Sequence, residues 1–196
     1  MNKALIIVDV QNDFVEGGSL AATGGKNVAS SLAGFIRENA KGYTAIVTTQ
    51  DWHIDPKGHW SDNPDFVSSW PVHCAAESNG AEIVSTLAEA LDEISSTNDT
   101  TLISVVKGEY GDDYSGFEGH VKNDSETLEN ALKTLGVTTV EVAGIATDYC
   151  VKATAEQAVE AGFETTVLKD FSAGINENTC DILFTTGFSA NNINVK

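Results

Sequence analysis

Residues 138–159 read TTVEVAGIATDYCVKATAEQAV. The first eight form an apolar run rich in β-branched side chains and read as a buried strand. Residues 148–162 then carry Val151, Ala155, Ala158 and Val159 at spacings of three and four, the apolar stripe of a helix. Between the two lie small and polar residues that stop at Cys150. A buried strand handing over to a helix through a tight turn is the repeating unit of a parallel α/β sheet.

The same unit recurs outward in both directions. ALIIVDV (4–10), TAIVTT (44–49), TLISVV (101–106) and ETTVLK (164–169) read as further buried strands. Helices are expected over 25–40, with Leu32, Phe35 and Ile36 on one face; over 79–94, with Ile83, Leu87 and Leu91; and over 125–136, with Leu128, Leu132 and Leu135. This alternation predicts a three-layer α/β/α, doubly wound, mainly parallel sheet in one domain spanning residues 1–196. Ligands of such sheets sit at the carboxyl ends of the strands. Polar oddities collect at those ends: Asp9 after the first strand, QDWH after the second, Lys107 after the third and Cys150 after the fourth.

The chain has 196 residues, 41% of them apolar, which suits one sizeable core. Its 29 acidic residues against 11 basic ones give a net charge of −18, a balance that repels nucleic acid and anionic membranes and leaves a small neutral or cationic ligand as the better partner. The run before Asp9 is too short for a signal-peptide core, and no stretch approaches the roughly 18–20 apolar residues of a membrane span. Three cysteines without framework spacing predict reduced thiols and a cytoplasmic setting.

Residues 50–78 break the alternation, and loops of that length inside a domain are usually functional or disordered. All three tryptophans and three of the four histidines lie there, which favours function; His120 is the histidine left outside. Asp51, His53, His59 and His73 offer one carboxylate and three imidazoles, the donor set of a borderline divalent ion such as zinc, iron or manganese. Asp51 and His53 share a side if the strand stays extended. Cys74, next to His73, reads as a packing or supporting residue, and Cys180 as a small core thiol. A thiol in the first turn of a helix meets unpaired N–H groups and the positive end of the dipole, so Cys150 is expected to have its pKa lowered from about 8.5 toward neutrality. The turn at 144–147 can aim backbone N–H groups at one point, as an oxyanion hole requires. On residue chemistry alone, Asp9 and Lys107 admit two readings: solvated strand-end groups, or a base and its charge partner for Cys150.

Taken together, LIIVDVQNDFVEGGSL, QDWHIDPKGHW, SSWPVHC, VVKGEY with DYSGFEG, and VAGIATDYCVKATAEQAV resemble the nicotinamidases, or pyrazinamidases, of the isochorismatase-like cysteine hydrolase superfamily, in their actinobacterial form. The likeness runs to about residue 175. It implies strand order 3-2-1-4-5-6 in a sheet of five or six strands, with the loop at about 50–78 holding one divalent metal ion through Asp51, His53, His59 and His73. It further implies a catalytic triad of Asp9, Lys107 and Cys150, and a cis peptide between Ile145 and Ala146 that turns the Ala146 N–H, with that of Cys150, toward the oxyanion. Phe14, Trp70, Tyr110 and Ile145 are the implied substrate-binding residues. The implied activity is hydrolysis of nicotinamide to nicotinate and ammonia through a cysteine thioester, and of pyrazinamide to pyrazinoate, in NAD salvage, by a cytoplasmic monomer or small homo-oligomer. Trp60 stands where such proteins often carry Phe, and Asp112 and Asp113 depart from their pattern. Sister amide hydrolases, isochorismatase itself and a non-catalytic ligand-binding protein are the competing readings; the presence of Cys150, the histidine set and the intact triad weighs against each.

Overall fold

The alternation resolves into one sheet. A computed structural model of the chain describes residues 2–97 and 100–196; no site residue named above lies outside them. Its strands among those residues are β1 (Lys3–Val8), β2 (Ala45–Asp51), β3 (Thr101–Lys107), β4 (His120–Val121), β5 (Thr139–Ile145), β6 (Glu164–Ala173) and β7 (Asn194–Val195). They lie in the order β4-β3-β2-β1-β5-β6-β7. The five long strands take the expected order and β7 the sixth place. The additional strand, β4, is a two-residue edge pairing antiparallel to β3 through Val105 with Val121 and Val106 with His120. Two residues carry no periodicity, so such an edge has no signature in the sequence.

β1 is central and parallel to both neighbours, with Ile7 opposite Thr48 of β2 and Val8 opposite Gly144 of β5. The chain winds from β1 through β2 and β3, then returns to β5 and β6. The switch point therefore falls beside β1, where a crevice opens at the strand ends.

β1 is apolar throughout because both its faces are covered. Leu5 and Ile7 pack with Leu32 and Ile36 of α1 (Gly25–Asn39) and Leu87 of α2 (Ser85–Ser95). Ala4, Ile6 and Val8 face the other way, toward Leu128 and Leu132 of α3 (Leu128–Thr134) and Ala155 of α4 (Lys152–Glu160). Side chains alternate along a strand, so a doubly covered strand reads as an unbroken apolar run. Each large aliphatic side chain so buried contributes about 1.5–3 kcal/mol.

α2 begins at Ser85 rather than 79. Residues Asn79–Ala81 form a separate single turn capped by the Ser78 hydroxyl, and Ile83 pairs antiparallel with Gln11 before the helix starts. The last segment adds α5 (Glu177–Ile182), a π-type turn over Leu183–Gly187, α6 (Phe188–Ala190) and β7. Cys180 lies on α5, half-buried against Gly174 rather than within the core. Partial burial, and then Asp148, push its thiol up to about 11. Among the described residues no helix is long and apolar enough to cross a membrane.

Candidate active site

The strand ends deliver their polar residues to one buried point. Asp9 follows β1 in a left-handed conformation (φ 48°), which Asp tolerates better than most residues. Thr49 fixes it by donating its hydroxyl to Asp9 Oδ1 at 2.6 Å and accepting the Asp9 N–H. Asp51 and Lys107 end β2 and β3 opposite one another. Cys150 follows β5 on a π-type turn, Thr147–Val151, that leads into α4. The Lys107 ammonium lies 2.9 Å from Asp9 Oδ2 and 3.7 Å from Cys150 Sγ, and closes on Asp51 Oδ1. It also donates to the Asp113 carbonyl at 3.2 Å. Cys150 Sγ and one carboxylate oxygen from each of Asp9 and Asp51 lie within 4.8 Å of one another.

All four groups are buried. Burial works against the Lys107 ammonium, yet Asp51 and Asp9 outweigh it and hold its pKa well above the usual lysine value. Burial likewise works to raise Asp51, but Lys107 and then His53 hold that carboxyl well below the usual range. For Asp9 burial prevails and its pKa is raised. Cys150 departs from expectation, because burial, joined by Asp9 and Asp51, lifts its thiol pKa well above the usual value despite Lys107. Its position late in the π-type turn, beside two carboxylates, overrides any help from the helix dipole. A raised thiol pKa favours a protonated sulfur in the resting site.

A second cluster adjoins the first. Ring nitrogens of His53, His59 and His73 lie within 4.8 Å of one another, and all three rings are buried. His53 Nε2 and His73 Nε2 stand 3.6 and 3.9 Å from Asp51 Oδ2. His53 Nδ1 meets the Gly108 carbonyl at 2.5 Å and His73 Nδ1 the Pro71 carbonyl at 2.7 Å. A carbonyl only accepts, so each Nδ1 carries the hydrogen and each Nε2 turns a lone pair to the centre. His53 Nε2 and His59 Nδ1 are buried with no hydrogen-bond partner among the described residues. Burial holds His59 down at about 4 and lowers His73, so both rings are neutral near pH 7. Neutral imidazoles with oriented lone pairs beside an ionised carboxylate fit a divalent cation of the borderline type.

Gln11 supports this cluster and was not legible in the sequence. β1 ends before β2 does, and the fully buried Gln11 amide takes the place of the missing strand. It accepts the Asp51 N–H at 2.9 Å and donates to the Asp51 and Ala81 carbonyls at 2.8 Å each. Cys74 lies behind His73, its N–H bonded to Asp13 Oδ2 at 2.7 Å, and burial raises its thiol pKa well above the usual value.

Between the clusters opens a small cavity of about 40 Å³. Phe14, Trp70 and Ile145 line it, together with Ala146 and Cys150. Tyr110 does not: the Glu109 carbonyl is tied to the N–H groups of Ile54 and Asp55, and the next side chain is 61% exposed. Tyr114 supplies the tyrosine instead, accepting from Trp70 Nε1 at 3.1 Å. Leu20, Tyr149 and Ile175 complete the wall, also without a sequence signal beyond their apolar or aromatic character. Trp60 stands behind the histidines, its ring 5.7 Å from His53. Asp112 is exposed, whereas Asp113 accepts the Gly108 N–H at 3.2 Å. The Ile145–Ala146 peptide is cis. His120 lies apart, paired with Glu109 at 2.9 Å.

Known proteins share this arrangement of fold and chain. Nicotinamidase/pyrazinamidase of Mycobacterium tuberculosis is 48% identical over 179 residues, 90% of this chain and 89% of that protein. The crystal structure of Pyrococcus horikoshii pyrazinamidase in complex with zinc matches with a TM-score of 0.78 at 34% identity, covering 100% of this chain and 99% of the other. PnC1 of L. infantum, solved in complex with nicotinate, matches with a TM-score of 0.76 at 29% identity over 100% and 92% of the two chains. The isochorismatase domain model matches residues 3–190, nearly the whole sheet and every residue of the site, and the chain belongs to that family.

Proposed function

We propose that the chain is a nicotinamidase, hydrolysing nicotinamide to nicotinate and ammonia and pyrazinamide to pyrazinoate. The observation that carries this reading is the meeting of Asp9, Lys107 and Cys150 beside an apolar cavity that is also lined by Asp51 and two of the three clustered imidazoles, those of His59 and His73. The 48% identity with a nicotinamidase/pyrazinamidase supports the same substrates. In this reading Phe14 and Trp70 flank the aromatic ring, and the carboxamide carbon reaches Cys150.

Asp9 removes the thiol proton as sulfur attacks, so the cysteine becomes a thiolate only when its target is in place. The raised pKa of Asp9 suits a base of this kind. The C–S bond forms, and the oxyanion is met by the backbone N–H groups of Ala146 and Cys150. Collapse breaks the C–N bond, and Asp9 returns its proton to the nitrogen, which leaves as ammonia. Water then adds to the thioester, Asp9 taking one proton; the C–S bond breaks, that proton returns to sulfur, and the acid departs, losing its remaining proton to the released ammonia or solvent to become nicotinate. Lys107 holds Asp9 oriented throughout. Asp51, His53, His59 and His73 would hold a zinc, iron or manganese ion, which supplies a Lewis-acidic docking point for the ring nitrogen.

We assign the activity to NAD salvage in the cytoplasm, by one domain spanning the chain as a monomer or small homo-oligomer. The free cysteines and the charge of −18 support that setting and argue against nucleic-acid or membrane partners. The test is ammonia release from nicotinamide. Cys150→Ala is expected to lose more than about 10³-fold in kcat, and substantial retained turnover would sink the mechanism. Chelation followed by metal analysis tests the ion: full turnover in protein shown to be metal-free removes the role given to Asp51 and its histidines.

A further inference from the structure

The cavity has a floor, two aromatic walls and a rim, and the rim holds a residue with no role so far. Ile175 lines the cavity while remaining 44% exposed, so it stands at the mouth. It is placed there from two directions. Ala173, the last residue of β6, pairs with Ile145 on the cavity floor, and Ile175 follows two residues later. The Asp148 carboxylate then grips the loop, one oxygen accepting the Ile175 N–H and the other the Asn176 N–H, each at 2.9 Å. Asn176 in turn caps α5, accepting the Thr179 N–H at 3.0 Å.

Gly174 lets this loop come close. A Cβ there would lie 2.2 Å from Cys180 Sγ and 2.9 Å from Asp148 Oδ1, so no larger residue fits at that spacing. Asp148 sits two residues before Cys150 on the same π-type turn. The turn that carries the sulfur thus also carries the clamp on the rim.

We infer that Ile175, held at the cavity mouth by Asp148, is a specificity-determining residue that limits which ring substituents the site admits. The inference rests on the nicotinamidase reading. With the ring nitrogen toward the histidines and the carboxamide at Cys150, C2 lies between those two sites and C5, opposite C2, points away from both. Ile175 stands at the cavity mouth, where an outward-pointing substituent would meet it. Unsubstituted pyridine and pyrazine carboxamides pass; an alkyl group at C5 meets the Ile175 side chain. A group at C6 flanks the ring nitrogen on the histidine side and is excluded without Ile175. Asp148 is a positioning residue, acting through Ile175.

The experiment measures kcat and KM for nicotinamide, 5-methylnicotinamide and 6-methylnicotinamide in the metal-loaded protein. Ile175→Ala is expected to raise kcat/KM for the 5-methyl compound relative to nicotinamide by about tenfold, the scale of one methyl group in an apolar pocket, chiefly through KM. The ratio for the 6-methyl compound is expected to stay within about twofold, and Ile175→Phe to move the 5-methyl ratio in the opposite direction. Asp148→Asn should shift the 5-methyl ratio as Ile175→Ala does, and add less than about twofold once Ile175 is Ala. A purely structural role for Asp148 would lower kcat for every substrate alike and leave the ratios alone. Normal turnover of nicotinamide with a 5-methyl ratio unmoved in both Ile175 variants overturns this inference and spares the function. Absence of ammonia release by the wild type overturns both.

Discussion

At the scale of single residues, burial decides which groups can be read in advance. Asp9, Lys107 and Cys150 were legible as oddities because each interrupts or ends an apolar run. What three-dimensional company does to them was not: the dipole argument predicts an acidic thiol, whereas burial, joined by two nearby carboxylates, raises the Cys150 pKa. Gln11 was invisible because an amide three residues past a strand looks like any loop residue until β2 is seen to outrun β1. Tyr110 and Tyr114 lie four residues apart in an irregular segment, where no period tells which ring turns inward. His120 offers a clean electrostatic test away from the cavity. Its pKa is raised, first by the hydrogen bond to Glu109 and then by the Val121 carbonyl. A histidine whose folded pKa is raised contributes stability that is present below its unfolded value, about 6.5, and is lost as pH climbs through the folded value. Glu109→Gln should therefore destabilise the protein more at about pH 5.5 than at about pH 8.5, and NMR should show the His120 titration falling toward about 6.5. An unchanged His120 titration would rule the pairing out.

At the scale of elements, the five long strands and the apolar faces of the main helices follow from periodicity, since each buries a face or both. The boundaries that failed share a cause. Residues 79–84 look helical by spacing, but the Ser78 cap closes a separate turn and Ile83 is spent pairing with Gln11. The edge strands β4 and β7 exist because β3 and β6 offer open edges, which is tertiary information. Gly144 marks a close contact between β5 and β1. It has φ 123°, and a Cβ built on it would stand 2.1 Å from the Val8 carbonyl oxygen of β1. Gly144→Ala is expected to destabilise the fold by about 1–3 kcal/mol, read as a lower urea midpoint at unchanged m-value. A midpoint equal to wild type would mean that β1 and β5 can separate without penalty.

At the scale of the whole molecule, a charge of −18 on 196 residues works against compactness. Raising ionic strength from about 0.01 to 0.15 M shortens the screening length from about 30 to 8 Å. The thermal midpoint should rise over that range, and a flat or falling midpoint would show that the surface carboxylates do not repel one another appreciably. The interior behaves differently, because there the charges are few and in direct contact. One ammonium, that of Lys107, answers carboxylates on two neighbouring strands, one beside the sulfur and one beside the imidazoles. The amide-cleaving half and the ion-holding half of the site are therefore not separable modules. A lineage, or an engineer, that discards either half leaves the other with an orphaned charge in a dry interior, and must rebuild both together.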